Sequence, residues 1–126
     1  MQEQLLYEYA VIRVMPRVER EEFINVGVVL YCRERKLVLV RIDTTLQRLQ
    51  VFPDVDAAEV CAYLQAFAEI CTGTTKASPI ASLPAAERFR WLTATRSTIV
   101  QSSKVHPGFC SEPAEKLDQL FDQLVS

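Results

Sequence analysis

The chain has 126 residues, a length typical of one domain, and 49% of them are hydrophobic, which is enough to build a core without disulfides or metal. Fourteen Lys and Arg residues against 16 Asp and Glu give a formal net charge of -2, which argues against the cationic surface that generic nucleic-acid binding needs. No segment approaches the roughly 18 apolar residues of a membrane span, and the first residues do not resemble a signal peptide. We therefore expect a single cytoplasmic domain over residues 1–126, without nucleic-acid or membrane partners.

The amino-terminal part of the chain is rich in β-branched and aromatic residues. Residues 7–15 predict a first strand that ends at Pro16, and the charged residues 17–23 predict a connection or one helical turn. Residues 25–32 predict a second strand, and residues 37–42 a third. The polar link between the last two is typical of a hairpin, so these strands are expected to be antiparallel neighbours.

Helical patterns follow the third strand. Thr44 and Gln47 form a capping box that predicts a short helix over residues 44–50. A second helix is predicted from Asp56 to Cys71, because apolar residues recur at helical spacing and Gly73 follows as a terminator. The small polar residues 72–81 predict a surface loop.

The carboxyl-terminal part mixes helix and strand signals. Pro84 suits the first turn of a third helix that stops near Arg96, and residues 97–105 predict a fourth strand, after which Pro107 and Gly108 predict a turn. A final amphipathic helix begins at Ser111 and Pro113. We therefore expect an α+β fold with a small, mostly antiparallel four-stranded sheet, helices packed mainly on one face, and the order β-β-β-α-α-α-β-α.

No recognised catalytic motif is present. The three glycines do not cluster into a phosphate-binding loop. The single histidine, His106, is the only candidate base for a Ser-His-Asp triad, and the sequence contains no GxSxG motif to supply the nucleophilic serine. The nearby serines are as well explained by ordinary strand hydroxyls as by a catalytic nucleophile; they are Ser97, Ser102 and Ser103. The four cysteines form no CxxC pair, so we expect no metal site and no cofactor, and we expect buried thiols that act as small hydrophobic side chains.

Two polar clusters are candidate binding sites. The first lies in residues 18–25, where one arginine stands among carboxylates that can act as acid and base or hold a metal, although such a run is more often a solvated, salt-bridged face. The second surrounds the third helix and fourth strand, where converging arginine forks and a histidine would bind an anion. The alternative is that these are surface arginines whose stems cover apolar neighbours. The second cluster contains Arg88, Arg90, Arg96, Ser97, Gln101, Lys104 and His106.

Two blocks of sequence, YAVIRVMPRVEREEFINVGVVLYC and ERFRWLTATRSTIVQSSKVHPG, resemble the bacterial DUF3037 family. The resemblance covers nearly the whole chain but brings no established reaction, ligand or cofactor. It implies an accessory role beside HipA-like kinases, which members of the family often accompany in bacterial operons. The polar signature that it implies falls on Arg13, Arg20, Glu21, Glu22, Asn25, Gly27, Arg88, Arg96, Gln101, His106 and Gly108.

Two functions remain open at this point. The first is a non-enzymatic interaction module that binds a HipA-like kinase or a second copy of the chain. The second is an anion- or phosphate-binding domain or enzyme, in which Arg88, Arg96 and His106 act with Glu21 or Glu22. The second function requires folding to bring both polar clusters around one concavity.

Overall fold

A computed structural model describes residues 4–17, 22–43, 45, 49, 52, 55–73, 79–94 and 99–125. The prediction of an α+β fold is confirmed, because these residues form a five-stranded antiparallel sheet and three α-helices in the order βββααββα. The strands are β1 (Leu5–Arg17), β2 (Glu22–Cys32), β3 (Leu37–Ile42), β4 (Val100–Ser102) and β5 (His106–Cys110), and the helices are α1 (Ala57–Thr72), α2 (Ala85–Leu92) and α3 (Pro113–Leu124).

The long strand β1 organises the sheet. On one side it pairs with β2, which pairs in turn with β3, and on its other side it pairs with both β4 and β5. The described part of the predicted fourth strand, residues 97–105, contains only the short strand β4, and an additional strand, β5, follows it along β1. The turn predicted at Pro107 and Gly108 is wrong, because both residues lie within β5. An edge strand tolerates a proline, since its outer side needs no ladder hydrogen bond.

The first two strands are longer than their local sequences indicate. β1 continues through Pro16 to Arg17, and β2 already begins at Glu22, in the segment predicted as a connection. The added residues pair with one another, with Arg17 opposite Glu22 beyond an irregularity in the register. Pairing between β1 and β2 thus decides these strand ends. The hairpin of β2 and β3 is confirmed, and its turn is closed by a 3.1 Å hydrogen bond from Lys36 N to Arg33 O.

Side chains alternate between the two faces of the sheet. Ala10, Ile12 and Val14 of β1 face a core that includes residues of α1 and α2, and we call this side the α1 face. Tyr7 and Tyr9 face a second core that includes residues of α3, and we call this side the α3 face. Two helices thus cover one face and one helix covers the other.

Local signals set most of the helix ends. The side chain of Asp56 caps α1 by accepting from Ala58 N at 3.0 Å, and Gly73 ends the helix with a φ of 71°. The third predicted helix is shorter than expected, because α2 ends at Leu92 and not near Arg96. The helix predicted over residues 44–50 falls mostly outside the described residues. No helix in the described part of the chain has the length and apolar character needed to cross a membrane.

The cysteines differ in exposure. Cys32, Cys71 and Cys110 are buried, as expected, and burial raises the pKa of the Cys71 thiol to about 12, although nearby Arg88 opposes this shift. The expectation of a buried thiol is wrong for Cys61, which is exposed on α1. A helix places residues ten positions apart on different sides, so the shared apolar helix of Cys61 and Cys71 did not imply shared burial.

Candidate functional site

Three of the predicted site residues lie side by side across the sheet. Arg13 on β1 is directly opposite Asn25 on β2, and on its other side it is directly opposite Gln101 on β4. Directly opposed residues of antiparallel strands point to the same face, so all three side chains belong to the α3 face. The tertiary structure thus joins members of both sequence clusters in one row.

The guanidinium of Arg13 lies against an aromatic ring. Its central carbon is 4.2 Å from the centre of the Phe23 ring, which is a favourable cation–π geometry. Its Nε atom is buried and has no hydrogen-bond acceptor among the described residues. Arg13 therefore presents a positive charge at this row, and one of its donors is not used by the described part of the chain.

Asn25 connects the row to the end of α3. Its Nδ2 atom donates to the main-chain oxygen of Leu124 at 3.0 Å. The last carbonyl groups of a helix have no partner within that helix, so this bond caps α3 from the sheet. A structural role accounts for this contact of Asn25.

His106 lies on the same face of the sheet but farther along β1. It is directly opposite Tyr9, and the two ring centres are 5.4 Å apart. Tyr9 and Arg13 are four residues apart, so at about 3.3 Å per residue the imidazole and the guanidinium belong to rows roughly 13 Å apart along the strand. His106 is exposed. It therefore makes a cross-strand aromatic contact and does not join the row of Arg13.

Arg88 lies on the opposite side of the sheet. It belongs to α2, which packs on the α1 face, and its Nη1 atom donates to Cys71 O at 3.2 Å. The last turn of α1 has no basic residue of its own, so Arg88 supplies a cation and a donor to this helix end. The sheet thus separates Arg88 from Arg13 and His106, and the structure does not bring these three residues into one pocket.

The remaining predicted residues add little to the row. Glu22 is exposed at the start of β2 and is opposite Arg17. Arg20, Glu21 and Arg96 lie outside the described residues. The binding or catalytic role of this set stays a prediction.

The two signature glycines lie where neighbouring atoms approach the backbone closely. A Cβ atom on Gly27 would lie 2.8 Å from the main-chain oxygen of Arg41, and one on Gly108 would lie 2.5 Å from the hydroxyl of Tyr7. The ring of Tyr7 covers Gly108 from the opposite strand. Burial raises the pKa of Tyr7, and the neighbouring Tyr9 and Cys110 raise it further. The glycines of the signature are therefore explained by packing.

Two surface features of the fold have no counterpart among the residues predicted from the sequence. The first is an exposed apolar pair, Leu6 and Phe109, which are directly opposite each other on β1 and β5. The turn predicted at Pro107 and Gly108 concealed it, because that prediction left Phe109 outside any strand. The second is a cleft of about 390 Å³ between β3 and α1, with Cys61 in its lining. No local sequence signal marks this cleft, because it depends on how α1 lies across the sheet.

The chain matches one protein family, and the description of that family names no function. The family model described as "Protein of unknown function (DUF3037)" matches residues 9–125. No curated protein and no solved structure matches the chain. The match covers nearly all of the chain, including the row of Arg13, both signature glycines and all three helices. The protein therefore belongs to the DUF3037 family.

Proposed function

We propose that this protein is a non-enzymatic interaction module whose partner is a HipA-like kinase. The observation that carries the proposal is the exposed pair of Leu6 and Phe109, whose side chains are 38% and 67% exposed. Isolated hydrophobic residues are common on protein surfaces, whereas two that lie directly opposite each other form a continuous apolar surface. We call the surface formed by Leu6, Pro107 and Phe109 the β5 surface.

The position of the β5 surface suits a protein partner. β5 lies at the edge of the sheet, and no strand among the described residues covers its outer side. A partner that covers this edge would bury a large aromatic ring together with an unprotected strand. Aromatic residues at the centre of an interface carry much of its binding energy. The resemblance to proteins that accompany HipA-like kinases supplies the candidate partner.

Co-purification with a HipA-like kinase from the same bacterium tests the proposal. We expect Phe109→Ser to weaken the complex at least tenfold, because central interface residues contribute about 2 kcal/mol or more. Leu83→Ser is the matched control, since Leu83 is also partly exposed, at 37%, but lies outside the β5 surface. Equal binding by both variants, or no complex with the kinase at all, would contradict the proposal. Light scattering of the protein alone would identify self-association through β5 as the alternative.

A second proposal is that the row of Arg13 binds a small anion. The supporting observation is the buried Nε atom of Arg13, which has no acceptor among the described residues. An arginine fork binds carboxylate or phosphate through two parallel hydrogen bonds. Arg88 is not part of this proposed anion site, because it lies on the opposite face of the sheet and donates to the end of α1.

A thermal-shift screen with inorganic phosphate, nucleotides and phosphorylated metabolites tests this second proposal. A ligand that binds only the folded state must raise its apparent stability. We expect Arg13→Met to abolish such a shift and Arg90→Met, which changes an exposed arginine on α2, to preserve it. A screen without any shift would reject anion binding and favour the interaction module.

A further inference from the structure

The outer edge of β3 pairs with no other strand in the part of the chain that the structure describes. β3 is the last strand on its side of the sheet, and no described strand lies beyond it. Asp43 N donates to Val26 O at 2.7 Å, so the main chain at Asp43 is directed toward β2. Main-chain groups in an antiparallel pair point alternately toward and away from the neighbouring strand. The N–H and C=O groups of Val38, Val40 and Ile42 are therefore directed to the open edge.

An apolar cleft runs beside the same edge. It has a volume of about 390 Å³ and lies between β3 and α1. This volume is within the range of roughly 300 to 1,000 Å³ that is usual for ligand-binding clefts. Its lining includes Val40, Ile42, Cys61, Leu64, Gln65 and Ala68.

The open edge and the cleft are aligned with each other. Val40 and Ile42 direct their main-chain groups outward, and their side chains pack toward the core on the α1 face, where the cleft lies. A strand added to this edge would hydrogen-bond to these two residues. Directly opposed residues share a face, so every second side chain of the added strand would enter the cleft.

We propose that the edge of β3 and the cleft beside α1 together bind an extended segment of another protein that has apolar side chains at alternate positions. Strand addition of this kind takes its affinity from main-chain hydrogen bonds and its specificity from pockets for alternate side chains. A small apolar molecule would fill the cleft but leave the main-chain groups of the edge unused. The site is at the opposite edge of the sheet from β5, and the inference does not depend on the kinase or on the β5 surface.

The probes are two capped synthetic peptides with lysine at each end, one alternating threonine with valine and the other alternating threonine with leucine. Two matched peptides serve as controls. The first has the same composition with its apolar residues contiguous, and the second has the alternating sequence with N-methyl groups on the main-chain nitrogens that would donate to β3. We expect saturable binding of an alternating peptide and at least tenfold weaker binding of both controls.

Two measurements locate the bound peptide on the full chain. Hydrogen exchange should slow at least tenfold at the amides of Val40 and Ile42, while the amides of Leu39 and Arg41, which are directed toward β2, change little. Alkylation of Cys61 should also slow when the peptide binds, because this thiol lines the cleft. The reagent reports on Cys61 because Cys32, Cys71 and Cys110 are buried in the fold.

Three variants complete the test. Val40→Pro removes one outward N–H without breaking the pairing with β2 and should weaken binding roughly 2- to 10-fold, the effect of one hydrogen bond. Ala68→Phe fills the cleft and should abolish binding, whereas Ala62→Phe, on an exposed side of α1, should not. If Val40→Pro does not fold, the comparison of Ala68→Phe with Ala62→Phe still decides the matter.

Three outcomes would overturn the inference. The first is that neither alternating peptide binds. The second is that a peptide protects Cys61 without protecting the amides of Val40 and Ile42, which would indicate a site for small apolar molecules. The third outcome is protection of these amides by concentration-dependent dimerisation without any peptide, which would make a second copy the occupant. Failure of the kinase complex, by contrast, would reject the proposed function and leave this inference intact.

Discussion

The hydroxyl oxygen of Ser103 accepts a hydrogen bond of 2.8 Å from the main-chain N–H of Val11. Ser103 lies between β4 and β5, where the strand beside β1 is interrupted. Its own N–H donates to Val11 O at 2.8 Å, and its hydroxyl donates to Lys104 O at 2.9 Å. The serine thus replaces the missing strand partner of Val11. The hydroxyl of this serine therefore has a structural role beside β1.

Replacement of Ser103 by alanine should lower the free energy of unfolding by about 1 to 3 kcal/mol, because it leaves the buried N–H of Val11 without its acceptor. Urea denaturation measures this loss. Ser102→Ala is the control, since the Ser102 hydroxyl donates to Ser103 O in a partly buried position and leaves no main-chain N–H unsatisfied. If both substitutions lower the free energy of unfolding equally, the hydrogen bond to Val11 N does not account for the effect of Ser103→Ala.

Arg88→Met should also destabilise the fold, by about 1.5 to 3 kcal/mol, because it removes a charged donor from the carbonyl groups at the end of α1. Arg90→Met should change stability by about 0.5 kcal/mol or less, since Arg90 is exposed on the same helix. Thermal and urea denaturation of both variants give the comparison. A fully stable Arg88→Met variant would remove the structural role and return Arg88 to the candidate binding residues.

Gly108→Ala should destabilise the protein by about 1 to 3 kcal/mol, the usual effect of an added methyl group in a tightly packed site. The new Cβ would lie 2.5 Å from the hydroxyl of Tyr7, which is buried and has little room to move. A double-mutant cycle checks the cause. In a Tyr7→Leu background the same glycine substitution should cost much less, and an unchanged cost would mean that Tyr7 is not the obstacle.

Stability should fall at alkaline pH. Burial raises the pKa of Cys71 from 9.0 to about 12, so between these values the unfolded chain loses a proton that the folded chain keeps. The contribution is fully present below about pH 9 and is lost as the pH rises toward 12. Cys71→Ala should therefore show a smaller decrease in unfolding free energy over this range than the parent chain. The exposed Cys61→Ala variant should retain the parent's decrease, and identical pH profiles for all three proteins would refute the assignment.

Local patterns were sufficient for several elements. The predicted bounds of β3 match the structure, and Asp56 and Gly73 mark the ends of α1 as expected. These features depend on alternation, a capping side chain and a glycine with positive φ, all of which act over a few residues. Predictions failed where the same local logic was applied to β5, whose Pro107 and Gly108 are typical of a turn. Pairing with β1 overrode that tendency.

The candidate site was only partly accessible to sequence reasoning. The residue types in the row of Arg13 were identified, but the sequence could not show that Asn25, Arg13 and Gln101 are neighbours. Asn25 and its acceptor Leu124 are 99 residues apart. Arg88 was grouped with His106 because the two are close in the chain, although the sheet lies between them. The order of strands decides such relations, and no local pattern encodes it.

The sequence by itself determined the α+β class, the hairpin of β2 and β3, the amphipathic helices and membership of the DUF3037 family. Each of these follows from periodicity, capping and turn chemistry within short segments, or from residues shared with the family. Only the tertiary structure decided that α3 covers one face while α1 and α2 cover the other. It also decided the exposure of Phe109 and the cleft beside β3. These features arise from contacts between distant segments, which depend on how the whole chain buries its apolar surface.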